Sequence, residues 1–150
     1  MTPLFKKLNF KDHKVVLVLN APSSFVSEMR EMEAFSKVVS ELKRVDSIGF
    51  VMAFATKQAE VDAFAGQIIP ILEAKAVLWF CYPKQSSKLY KCDFNRDNGW
   101  EALGRMDMEP VRMVAIDEDW SALRFRKVED IKKFNRGFAI SEEGKKRMQK

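Results

Sequence analysis

The run Val15-Val16-Leu17-Val18-Leu19 is apolar at every position, the mark of a strand covered on both faces. Pro22-Ser23-Ser24 follows as a turn with an N-cap hydroxyl. Phe25, Met29, Met32, Phe35, Val39 and Leu42 then recur at three- and four-residue steps and predict one helical stripe. Ser47 to Phe54 reads as a second buried strand. Thr56 is placed to cap a helix with an apolar face of Val61, Phe64, Ala65, Ile68 and Leu72, which Pro70 should bend or shorten. Ala76 to Tyr82 is a third apolar run, so strand and helix alternate in the manner of parallel pairing with crossover helices.

Later in the chain, Asp97-Asn98 ahead of Gly99-Trp100-Glu101-Ala102-Leu103 predicts a third helix with Gly104 near its end. Pro110 to Ile116 and Ser121 to Lys127 are strands so close together, across Asp117 to Trp120, that they should pair as a hairpin. Leu4, Phe5 and Leu8 suit a helical turn packed on the body. Val128 to Phe134 reads as a short helix, and Ser141-Glu142-Glu143 before Lys145-Lys146-Arg147 as a capped terminal one. The expected fold is a single α/β domain over residues 1–127, with a mainly parallel sheet of about five strands flanked by helices and ending in an antiparallel hairpin. Residues 128–150 form a basic helical extension in this reading.

Charge changes the picture only at that end. Residues 1–123 have 16 Lys and Arg against 17 Asp and Glu, whereas 124–150 have 10 against 4. A solvated basic face is the simpler reading, because no stacking platform or nucleic-acid motif accompanies it. Nucleic acid, through Arg124, Arg126, Lys132, Lys133, Arg136 and Lys145-Lys146-Arg147, is the disfavoured alternative. Cys81 and Cys92 are expected as free thiols, and one histidine, His13, leaves a metal site almost no ligands. No apolar run spans a bilayer or makes a signal core, so a cytoplasmic protein without membrane contact is expected.

If the strands run parallel, their carboxyl ends bring four loops to one edge, where open α/β sheets bind ligands. These loops gather Asn20, Ser23, Ser24, Thr56, Lys84, Ser86, Lys88 and Asp117, with Lys57, Ser87, Asp119 and Ser121 nearby. Helix N-termini behind Ser24 and Thr56, with Lys84 and Lys88 beside them, suit a small anion. The competing reading makes the hydroxyls caps, the lysines exposed loop charges, and Asp117 and Asp119 turn formers. A nucleophile pair of Ser86 or Ser87 with Lys84 or Lys88 needs a desolvated lysine, which so polar a loop does not offer.

The residues Val18-Leu19-Asn20-Ala21-Pro22, Leu78-Trp79-Phe80-Cys81-Tyr82-Pro83-Lys84 with Ser86-Ser87, Gly99-Trp100, Val114-Ala115-Ile116-Asp117 and Trp120-Ser121-Ala122-Leu123-Arg124-Phe125 carry a resemblance. Over about residues 8–127 the chain resembles a bacterial domain-of-unknown-function family whose members look like a pared-down class I methyltransferase, Rossmann-like in topology. In that superfamily a Gly-rich turn after the first strand admits the methionine part of S-adenosylmethionine, and an acid after the next strand holds the ribose. This chain has Asn20-Ala21-Pro22-Ser23-Ser24 at the turn, and its expected second strand ends Ala53-Phe54-Ala55-Thr56 without an acid. The leading expectation is therefore a non-catalytic module without a cofactor or catalytic residue, binding a small anionic ligand or a protein partner at the carboxyl edge. The second is a small enzyme, either a degenerate methyltransferase relative or a hydrolase using Ser86, Lys84 or Asp117.

Overall fold

A computed structural model of the chain describes residues 1–95 and 97–131. Six strands form one sheet: β1 (Val15–Leu19), β2 (Lys37–Val39), β3 (Ile48–Phe54), β4 (Leu72–Pro83), β5 (Met108–Ala115) and β6 (Trp120–Lys127). Their order across the sheet is β2-β1-β3-β4-β6-β5. The first four pair in parallel, and β6 runs antiparallel between β4 and β5. Because β5 is antiparallel to β6, it points the same way as β1 to β4, and its outgoing turn joins theirs at the carboxyl edge.

The helices are α1 (Pro3–Lys7), α2 (Val26–Met32), α3 (Gln58–Ile68) and α4 (Glu101–Arg105). They divide between the two faces of the sheet. One face packs Leu17, Val51, Leu78, Phe80 and Phe125 against Val61, Ala65 and Ile68 of α3 and Leu103 of α4. The other packs Val16, Val18, Phe50, Met52 and Trp79 against Phe5, Leu8, Phe25 and Met32. Residues one apart in a strand thus feed different cores, which is why the central runs are apolar without alternation.

Local chemistry accounts for the boundaries. Thr2 Oγ1 accepts from the Phe5 amide at 3.2 Å and starts α1. Pro70 ends α3: the helix stops at Ile68 and a 3-10 turn, Ile69–Ile71, leads into β4. Gly99 has φ +92°, and a Cβ there would stand 2.6 Å from both Gln58 Oε1 and Phe94 Cβ, so only glycine lets Trp100 swing into the core before α4.

The long helix expected from Phe25 to Leu42 is the main departure. Its helix ends at Met32, Phe35 is exposed, and Lys37–Val39 form the edge strand β2 beside β1. Consecutive β-branched residues, Val38 and Val39, favour extended backbone once a parallel neighbour is present. Beyond Lys127, Val128–Asp130 form a 3-10 turn. The remainder of the expected short helix and the terminal helix, with Lys132, Lys133, Arg136 and Lys145-Lys146-Arg147, lie outside the described residues. No helix among the described residues is long and apolar enough to cross a membrane.

Candidate functional site

The carboxyl edge holds two separate clefts. The first lies where β1 and β2 end beside α3. Asn20 leaves β1 at φ +60°, a left-handed conformation that asparagine tolerates better than most side chains. Its Nδ2 donates to the Phe54 carbonyl and to Glu60 Oε2, both at 3.0 Å. Glu60 Oε1 in turn accepts from the Thr56 amide at 3.0 Å, the Thr56 hydroxyl at 3.3 Å and the Lys57 amide at 3.2 Å. One carboxylate therefore ties the ends of β1 and β3 to the first turn of α3.

This network removes the anion site expected behind Thr56. Glu60 satisfies the amides just ahead of the helix, and Asp93 Oδ1 accepts from the Gln58 amide at 2.6 Å. The protein's own carboxylates stand where a bound anion would. Thr56 is a donor to Glu60 rather than the cap, which is Lys57. Ser23 and Ser24 are exposed members of a 3-10 turn whose cap position is Pro22 and which has no side-chain cap bond.

Between β1 and β2 the first cleft encloses about 520 Å³ and is lined by Leu19, Asn20, Ser40, Glu41, Glu60 and Phe64, among others. Ser40-Glu41 directly follow β2. The strand that follows β1 in the chain is β2 rather than β3, and an acid, Glu41, stands two residues beyond its end. Sequence reasoning missed Ser40, Glu41, Glu60 and Asp93. For Glu41 the available signal was the β-branched pair Val38-Val39 followed by two polar residues.

The second cleft, about 980 Å³, lies between the end of β4, the segment 83–98 and the hairpin. Lys84 and Ser86 line it, together with Tyr82, Asn95, Met113 and Ser121. The Lys84 amide donates to the Asp119 carbonyl and the Ser87 hydroxyl to Asp119 Oδ1, both at 2.8 Å, which fixes the loop to the hairpin turn. Asp117 is a turn former: its Oδ1 accepts from the amides of Asp119 at 2.8 Å and Trp120 at 2.9 Å. Lys88 is exposed and lies outside the lining. Ser86 is exposed too, so the desolvation that a serine-lysine nucleophile needs is missing. Among the described residues no group of three His, Cys, Asp or Glu side chains is placed to hold a metal ion.

The eight candidate residues are thus split. Asn20 and Thr56 meet through Glu60, Lys84 and Ser86 share the second cleft, and Ser23, Ser24, Lys88 and Asp117 line neither.

A mainly parallel sheet ending in an antiparallel hairpin with β6 inside β5 defines a methyltransferase-like, Rossmann-like fold. Solved structures agree. A SAM-dependent methyltransferase from Aquifex aeolicus superposes with TM-score 0.54 at 10% identity, covering 81% of this chain and 86% of that one. The ribosomal protein L11 methylase from Lactobacillus delbrueckii subsp. bulgaricus gives 0.51 at 10% identity, covering 81% of this chain and 73% of its own. LepI in complex with SAM gives 0.51 at 10% identity; there the match covers 84% of this chain but only 47% of LepI. No protein-family model and no curated protein matches the chain. These likenesses correct the leading expectation of a non-catalytic anion-binding module: one of these neighbours is a SAM-dependent methyltransferase, one a methylase and one was solved with SAM, and the enzyme alternative fits them better.

Proposed function

We propose that the chain is a methyltransferase-like enzyme that takes S-adenosylmethionine in the cleft between β1 and β2. The observation that carries this reading is the placement of Glu41. It follows the strand next to β1 and lines the same cleft as Leu19 and Asn20. A carboxylate there can accept from both ribose hydroxyls of a nucleoside. Leu42, Ala63 and Phe64 supply an apolar flank for a base.

Asn20 fits the turn only in part. Its left-handed backbone takes the conformation a glycine would take, while its side chain, held by Glu60, fills part of the approach. When bound, S-adenosylmethionine supplies an electrophilic methyl group; Glu41 would hold the ribose, and Asn20 and Glu60 would set the width of the entrance. The second cleft, lined by Lys84 and Ser86 on the same edge, is the candidate place for an acceptor substrate.

Calorimetric titration with S-adenosylhomocysteine tests the reading. The native protein should bind saturably, and Glu41→Gln should weaken binding about tenfold or more, as expected for loss of a charge-assisted hydrogen bond of roughly 1.5–3 kcal/mol. No binding to the native protein, or equal binding to the variant, sinks the assignment.

A further inference from the structure

Three arginines occupy one face of the hairpin. Arg112 and Arg124 are direct partners in the antiparallel register, so their side chains stand on the same side. Arg126, two residues along β6, shares that side. On the hairpin, the acid on this side is Glu109, which stands opposite Arg126 in register and is itself fully buried, while Arg112 and Arg124 face each other with no acid between them. Among the described residues the ion pair formed is Lys43 with Glu41, and none of the three arginines takes part in one.

Arg124 is half-buried beside Trp79, its register partner on β4, and its Nε is buried without a hydrogen-bond partner. Burial first, then the positive neighbours Arg126 and Arg112, work against its charge. Like charges directly opposed across strands destabilise a sheet, and a buried donor left unpaired costs more again. The fold gains nothing from this arrangement alone. An anionic partner at the accessible ends of these guanidiniums would remove the first of these costs.

We propose that the face formed by Arg112, Arg124 and Arg126 binds the phosphate backbone of a single-stranded polynucleotide. The three positions are separated by roughly 5 Å across the strands and roughly 7 Å along β6. That spread is wide for one phosphate and suits successive ones on an extended strand. Guanidinium forks match phosphate oxygens bidentately, which lysines would not do. The surface is a sheet face rather than a protruding helix or ribbon, so it lies along a strand and does not enter a duplex groove. The inference is independent of the cleft at Glu41.

The test is fluorescence anisotropy of a labelled oligouridylate of about twenty nucleotides, titrated with the full chain over a range of salt. Native protein should bind at low salt and weaken steeply as salt rises. Arg112→Glu with Arg126→Glu should lower affinity by roughly tenfold or more and flatten the salt dependence by one to two units of slope, whereas the paired Lys substitutions, which keep the charge but lose the fork, should keep the native salt slope and bind with an affinity between the two. Amide shifts on the native protein should centre on residues 112, 124 and 126, a readout that needs no variant to fold. The proposal is overturned if the native protein ignores the oligomer, if the paired Glu variant binds like the native one, if the shifts are confined to residues 132–150, or if phosphatidylserine vesicles bind in place of the oligomer.

Discussion

The two clefts of the carboxyl edge are built in opposite ways. The first, between β1 and β2, is small and assembled from residues far apart in the chain: Asn20 and Glu60 meet across forty positions, and Glu41 arrives on a third element. The second is nearly twice as large, yet most of its wall comes from the single segment 82–98, pinned at the hairpin by Asp119. Asn20 and Glu60 are tied by hydrogen bonds to the ends of β1, β3 and α3, which holds that wall in one geometry and suits the cofactor role proposed for it. A site made from one surface loop can change shape or sequence without disturbing the sheet, which suits selection among acceptors.

The largest expected effect is on the sheet that carries both. Trp79 is fully buried and its indole donates to the Leu8 carbonyl at 2.9 Å, so Trp79→Ala should cost about 3–5 kcal/mol and abolish both clefts together, read by urea denaturation. Glu60→Ala separates them. It leaves the donors of Asn20, Thr56 and Lys57 without their acceptor and should cost about 1–3 kcal/mol, with amide shifts around Asn20 and Thr56 and none around Ser86. Shifts spread equally over both clefts would show that they are not independent.

Asp119→Ala is the converse and smaller, about 0.5–1.5 kcal/mol, because the Ser87 hydroxyl it releases can reach water. Proteolytic nicking should increase within residues 84–90 and stay unchanged elsewhere. His13, away from both clefts, provides a pH control. Burial is the main cause that lowers its pKa below the ordinary 6.5, and its Nδ1 must be unprotonated to accept from the Lys11 amide at 3.1 Å. Its folded pKa lies below its unfolded one, so its contribution is complete above about 6.5 and is lost as pH falls through the folded value. Denaturation midpoints of native protein and His13→Asn should therefore converge as pH drops below that window. The smallest effect is chemical. Burial raises the Cys92 thiol, and raises that of the fully buried Cys81 far more, so iodoacetamide at neutral pH should label Cys92 slowly and Cys81 only after unfolding.

What could be read in the chain follows from where each signal comes from. The runs Val15 to Leu19, Ile48 to Phe54 and Leu78 to Tyr82 are buried on both sides, so their composition alone announces them. Pro70, Asp97-Asn98 ahead of Gly99-Trp100, and the short spacing between Ile116 and Ser121 gave the helix end, α4 and the hairpin, while the turn of Gly99 that brings Trp100 into the core had no mark in the sequence. Strand β2 was hidden because Val39 and Leu42 continue the step of a helical stripe, and three residues at a sheet edge become a strand only when β1 lies alongside. That one omission also hid Glu41. The Glu60 network was out of reach for another reason: a helix-surface glutamate has no local mark to say that its partners lie on Asn20 and Thr56.

Strand β6 is the last of the six in the chain yet lies inside the sheet, between β4 and β5, pairing Leu78 with Phe125 and Cys81 with Ala122. During synthesis the parallel half emerges first, and β4 then presents its unpaired edge until Trp120–Lys127 leave the ribosome. That edge includes Leu78, Trp79 and Phe80, and the wait spans the whole of segment 84–119. Nascent chains stalled within that interval should be the form most prone to strand-to-strand aggregation and most dependent on chaperones. Closing the fold is a non-local event, governed by the loop closure that joins β6 to β4 rather than by the helices that form beforehand.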